Sequence, residues 1–255
     1  MYEEEIFMKK FLFIAALSIF TACGGDDSLS ASVHDTMAIY DEKNNTVTDP
    51  RDNKTYKTVK IGDQVWMAEN LNYAYLQPTE KRDSSSLCVD DLLKNCEKYG
   101  RLYLWSAAMD SAGVWSVNGK GCGNGKKCSP TYPVRGVCPK GWHLPTLGEW
   151  SSLFSAVGGK STAGIKLKSS SEWDNDANGT DDFSFSALPA GYGDFYGIGH
   201  CEGEDAYFWS STDNYEGVQR MHLSDGSGYY NADGGYLDHG KKDDWLSVRC
   251  VKDDE

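Results

Sequence analysis

CPKGWHLPTLGEW, residues 138–150, is the stretch on which the fold turns. Gly141-Trp142-His143-Leu144-Pro145 reads as extended chain, because a proline disfavours the helical region for the residue before it. Thr146 then offers a helix N-cap, and Glu149 stands where its carboxylate reaches back to the cap backbone, the reciprocal capping box. Trp150, Leu153, Phe154 and Val157 recur at helical spacing along one face, and Gly158-Gly159 stops the run. Extended entry, capped amphipathic helix and glycine break follow one another directly, the clearest local structure in the chain.

Upstream, TYKTVKIGDQVWMAENL (55–71) has the pattern of a β-hairpin turning at Gly62-Asp63. Residues 76–98 are polar. YGRLYLWSAAM (99–109) predicts a strand running into a short helix, and 118–133 a Gly-, Lys- and Pro-rich loop. Downstream, Phe183–Leu188, Tyr207–Ser211, Val218–Leu223 and Trp245–Val251 are strand candidates. Polar loops at 172–182, 192–205 and 224–244 separate them, and loops of that length are where function tends to sit. The pattern is strand- and loop-rich, with one early capped helix.

The chain has 8 cysteines. Close spacing suggests Cys88–Cys96 and Cys122–Cys128 as loop staples. Cys138 and Cys250 each lie in an apolar, strand-like run and are expected to bridge over a long range. Cys201 is left over, and spacing alone does not fix connectivity. Disulfides imply an oxidising compartment, and the N-terminus agrees. MKKFLFIAALSIFTAC (8–23) has a basic start, an apolar run too short to span a bilayer, and small residues before Cys23. Its Phe-Thr-Ala-Cys ending is similar to a bacterial lipobox, with Phe20 where leucine is usual. This implies a signal peptide over 1–22 with the true start at Met8, since Glu3, Glu4 and Glu5 oppose a basic start. It also implies a lipid on Cys23 as a membrane anchor. Residues 23–46 then read as a polar tether and 47–255 as the domain, placed at the cell envelope on the outer membrane. With 25 basic against 38 acidic residues and a net charge of -13, the chain is a poor partner for nucleic acid.

Several runs resemble the Fibrobacter succinogenes major paralogous domain: DPRDNKTYKTVKIGDQVWMAENLNY (49–73), KYGRLYLWSAAM (98–109), CSPTYPVRGVC (128–138), CPKGWHLPTLGEW (138–150), NGTDDFSFSALPAGY (178–192), YFWSST (207–212) and SVRCVKD (247–253). The resemblance spans residues 47–253. More distantly, GWHLPT-x-x-EW and SVRCV are similar to runs of the formylglycine-generating enzyme family, which implies a C-type-lectin-like fold: α+β, with small antiparallel sheets, one or two helices and long irregular loops, stapled by disulfides. The one early capped helix and many short strands are compatible with it. That family's chemistry needs paired late cysteines. Cys250 lies in the run that resembles a structural ending and Cys201 stands alone, so no enzyme activity is expected.

Asp174, Asp176 and Asn178 alternate as the first ligands of a calcium loop, with Gly179 at the turn; Asp181 or Asp182 stands in for the missing glutamate. The same spacing also describes a solvated acidic turn, or loop packing particular to the NGTDD run. Cys201 beside His200, or reached by His143, is a weak nucleophile candidate, because catalysis needs a positioned base. The capping box accounts for Glu149 better than a general-acid role does. Aromatics crowd the late loops: Tyr192, Phe195, Tyr196, Tyr207, Trp209, Tyr215, Tyr229, Tyr230 and Tyr236. Trp209 reads as core. Tyr229, Tyr230 and Tyr236 read as surface rings suited to stacking on sugar faces. The expectation is a non-catalytic, lectin-like binding or adhesion module for polysaccharide or a surface protein. An enzyme on the same fold and a purely structural envelope protein are the alternatives.

Overall fold

The computed structural model describes residues 35–77, 85–214 and 217–254. The signal peptide, Cys23 and Tyr215 lie outside the described residues. In chain order the strands begin with β1 (Ile39–Asp41), β2 (Thr46–Asp49), β3 (Lys54–Ile61), β4 (Gln64–Met67) and β5 (Ser86–Leu87). Then come α1 (Leu93–Tyr99), β6 (Leu102–Leu104), α2 (Trp105–Ala108), β7 (Trp142–His143), α3 (Leu147–Ala156) and α4 (Lys160–Leu167). The chain ends with β8 (Tyr192–Gly193), β9 (Gly199–His200), β10 (Asp205–Asn214), β11 (Gly217–Ser224), β12 (Gly235–Gly240), β13 (Trp245–Ser247) and β14 (Val251–Lys252). One sheet runs β1-β2-β3-β4-β14-β7. The other runs β12-β11-β10-β13-β6-β5, with β8 joined to β13 and β9 to β8. Among these pairs only β10 and β13 run parallel. The fold is α+β and mostly antiparallel.

The capped helix forms as its sequence dictates. Thr146 Oγ1 accepts from the Glu149 N–H at 3.2 Å while Glu149 Oε2 accepts from the Thr146 N–H at 2.7 Å. Trp150, Leu153, Phe154 and Val157 are all buried. The hairpin at Gly62-Asp63 is β3–β4, and 99–109 holds β6 and α2.

Elsewhere the structure corrects the sequence reading. Phe183–Leu188 is not a strand; Ser184 and Ser186 take positive φ values of 55° and 52°, which break strand geometry, and Phe185 is buried as a plug. Trp245–Val251 divides into β13 and β14, each in a different sheet. The loop at 192–205 contains the β8–β9 hairpin, and the one at 224–244 contains β12. α1 lies in the stretch read only as polar, and β1 falls within the stretch expected as tether.

A disulfide joins Cys88 to Cys96, a second Cys122 to Cys128, and a third Cys138 to Cys250 across 112 residues of sequence. Cys201 carries a free thiol. The last bridge ties the chain before β7 to the chain before β14, so the middle of the domain is fastened to its C-terminal end. Two apolar cores result. One gathers Trp105, Trp142, Trp209 and Trp245. The other packs α3 and α4 against β10–β12 through Trp150, Phe154, Phe208, Met221 and Leu223. That contact is backbone-close, and only glycine fits it. A Cβ on Gly164 would meet the Gly234 carbonyl at 2.3 Å, and one on Gly235 would meet Phe154 at 2.7 Å. Among the described residues no helix is long and apolar enough to cross a membrane.

Candidate functional site

Side chains alternate across a strand, and in β10–β12 the alternation separates two chemistries. Ala206, Phe208, Met221 and Leu223 face the helices. On the opposite face the strand register aligns Tyr207 with His222 and His222 with Tyr236. The next row aligns Trp209 with Arg220 and Arg220 with Asp238. Toward Trp209 and Val218 this face joins the first core. Toward Tyr236 and Asp238 it opens to partly exposed positions.

Rings run continuously across this face, from exposed His200 through buried Tyr207 and His222 to half-buried Tyr230 and Tyr236. His200 stacks on Tyr192 with centroids 5.2 Å apart, and Tyr192 meets Tyr207 edge-on at 5.5 Å. Tyr207 stacks on His222 at 4.2 Å, His222 meets Tyr230 at 4.5 Å, and Tyr230 meets Tyr236 at 4.5 Å. The Arg220 guanidinium lies 4.4 Å from the Tyr207 ring. Carboxylates hold these groups in place. Asp205 accepts from Tyr207 Oη at 3.0 Å and lies 3.0 Å from His222 Nε2. Asp238 accepts from Arg220 Nε at 2.7 Å and from Tyr230 Oη at 3.1 Å. Tyr236 Oη accepts from the Asn231 N–H at 2.6 Å.

Electrostatics follow this geometry. Burial pushes the Asp205 carboxyl up, but the bonds from His222, Ser224 and Tyr207 outweigh it and leave it below the ordinary range. Burial lowers Arg220, yet Asp238 more than offsets it and the guanidinium is held charged. Tyr207 is raised well above the usual phenol range by burial and then by Asp205. His222 is fully buried, and its Nδ1 has no hydrogen-bond partner among the described residues. Half-buried Tyr230 and Tyr236 present ring surface beside these fixed polar groups, the requirements for stacking on a sugar ring and bonding its hydroxyls, while Tyr207 and His222 support them from beneath.

The structure brings Tyr230 and Tyr236 together on this face, whereas the Tyr229 ring stands fully in solvent. Sequence reasoning missed Asp205, Arg220, His222 and Asp238. The available signal was the alternation in VQRMHLS (218–224), which puts Arg220 and His222 on the face opposite Met221 and Leu223.

Cys201 does not gain a catalytic environment. Burial, then Asp205 and Glu204, push its thiol up to about 11. His200 is bonded to Asp194 at 3.1 Å, while His143 lies between Glu149 and Asp253, each at 2.7 Å. In the 174–182 loop, Asn178 Oδ1 accepts from the Trp173 N–H at 3.0 Å. Asp181 accepts from the Ser186 N–H at 2.8 Å and from its hydroxyl at 2.6 Å. Those oxygens close the loop on itself. Asp174, Asp176 and Asp182 are exposed.

A family model described as the Fibrobacter succinogenes major domain matches residues 59–252. No curated protein and no solved structure matches the chain.

Proposed function

The chain belongs to the Fibrobacter succinogenes major domain family, and on that premise we propose that it is a non-catalytic binding module of the cell envelope, C-type-lectin-like in fold, which takes carbohydrate on the ring-bearing face of β10–β12. A lipid on Cys23 anchors it to the outer membrane, and the segment beyond Cys23 tethers the domain. The supporting observation is the cross-strand row Tyr207–His222–Tyr236, extended by Tyr230 and flanked by Arg220 and Asp238. Ring faces of this kind bind C–H-rich sugar surfaces, and side chains already fixed by hydrogen bonds lose little entropy on binding.

A glycan array tests the reading. Wild-type protein is expected to retain a set of neutral or acidic glycans, and Arg220→Met, which removes the guanidinium from Tyr207 and Asp238, is expected to lose them. Equal retention by both proteins, or by neither, overturns the placement. A chelation arm tests calcium at the 174–182 loop. Binding lost with chelator and restored by calcium supports the ion there, while melting that ignores added calcium removes it.

A further inference from the structure

Arg51, Arg135 and Arg220 each sit on a carboxylate, Asp49, Asp35 and Asp238 respectively, at 2.5 to 2.7 Å. Arg249 is more enclosed than Arg135 or Arg220, with 1 % of its surface exposed, yet among the described residues it has no carboxylate within ion-pair distance. Neutral groups hold it. Nε donates to Asn70 Oδ1 at 2.8 Å, Nη2 to the Ser186 carbonyl at 2.9 Å, and Nη1 to the Phe185 carbonyl. The Phe185 ring lies 4.3 Å away. These contacts use three of the five N–H groups of a guanidinium. They supply dipoles rather than a paired charge; burial pushes the group down to about 9, and Asp181 and Glu69, acting from beyond ion-pair distance, only partly offset it. A buried charge without a paired carboxylate is expensive, so its position matters.

Arg249 contributes to the wall of a groove of about 370 Å³ between the β3 strand, the 68–72 segment, α1 and Ser186–Leu188. Lys54, Lys57 and Lys98 line the same groove, against Glu69 and Glu97. Lys54 is turned to the Asn72 carbonyl and Lys98 is paired with Glu172, which leaves Lys57 on the rim, exposed. Four basic against two acidic side chains line this concavity in a chain of net charge -13, a local shift of sign that Asp52, paired with Lys54, and Glu172, paired with Lys98, reduce from outside the groove. Field lines converge in such clefts and raise the local concentration of anions.

We propose that this groove binds a carboxylate-bearing ligand, whose anionic group supplies the direct ion-pair partner that Asp181 and Glu69 do not give Arg249. The site is separate from the ring-bearing face and does not depend on it.

Titration of the full-length chain by NMR, reading the Arg249 Nε–H resonance, is the test. Glucuronate is expected to shift that resonance, and its uncharged methyl ester is not. Acetate distinguishes the source. An acetate shift equal to that of glucuronate identifies a carboxylate of any origin, and a glucuronate shift several-fold larger identifies one carried on a sugar. Lys57→Glu, an exposed change that leaves the core intact, is expected to weaken glucuronate binding several-fold, most at low salt. A shift as large with the ester as with the acid, no shift with either acid, or affinity unchanged in Lys57→Glu overturns the proposal.

Discussion

β10–β12 carry two surfaces with opposite demands. On the helix side, Phe208, Met221 and Leu223 are fully buried beneath α3 and α4, every group apolar. On the other side the same strands hold Tyr207, Arg220, His222, Tyr236 and Asp238, an alternation of rings and charges. The first surface gains stability simply by excluding water. The second encloses a histidine whose Nδ1 has no hydrogen-bond partner among the described residues, with Asp238 3.9 Å away, and keeps charges half-buried in fixed pairs, a weak source of stability. Side chains held this tightly lose little entropy on binding, which is what the proposed binding face requires.

The largest way to test this contrast is to cut into the helix side. Phe208 touches both Trp150 and Phe185, at centroid distances of 5.8 and 6.4 Å. Phe208→Ala should lose about 3–5 kcal/mol by transfer and cavity terms, read as a lower urea midpoint with unchanged slope. A loss well under about 1 kcal/mol would mean that this face is not the structural one.

A smaller effect sharpens how α3 is seated on that face. His143 lies between Glu149, in the cap of α3, and Asp253 beyond β14. Burial lowers the imidazole, but the two carboxylates outweigh it and raise it from 6.5 to about 9. A raised value means that the folded state holds the proton more tightly. The contribution is therefore complete below the unfolded value near 6.5 and disappears as pH rises through about 9. The loss should be on the order of 1–3 kcal/mol. Denaturant titrations across this window should show the decline, and His143→Gln should flatten it. A wild-type stability independent of pH there would sink the latch.

How much of this contrast was legible in the sequence follows the range of the interactions. The capping box at Thr146 and Glu149 and the hairpin at Gly62-Asp63 depend on near neighbours and could be read directly. The close disulfides could also be anticipated. β12 was hidden because Gly235–Gly240 has almost no apolar pattern of its own and is a strand only through β11 and α4. Phe183–Leu188 looked like a strand because its rings alternate, but positive φ at Ser184 and Ser186 turns the chain and drives Phe185 into the core. The ring face was half legible. Its tyrosines were visible as a class, yet Asp205 meets His222 and Asp238 meets Arg220 only across strand pairs, and no local spacing encodes those two contacts.

The smallest expected effect separates the two halves of the aromatic set. Tyr229 is fully exposed, whereas Tyr236 is packed on Tyr230 and anchored to Asn231. Removing a solvated ring should leave stability within about 0.5 kcal/mol, so Tyr229→Ala is a clean probe of binding alone. If Tyr229 adds a stacking surface, glycan affinity should fall by the equivalent of about 0.5–1.5 kcal/mol, the range for one aromatic contact. If the ligand lies only on the sheet face, Tyr229→Ala binds as wild type while Tyr236→Ala does not. Isothermal titration of both variants against an array-identified glycan makes the distinction. Unchanged affinity in both would remove the tyrosines from the site and leave the polar face of β10–β12 as another way of holding the fold.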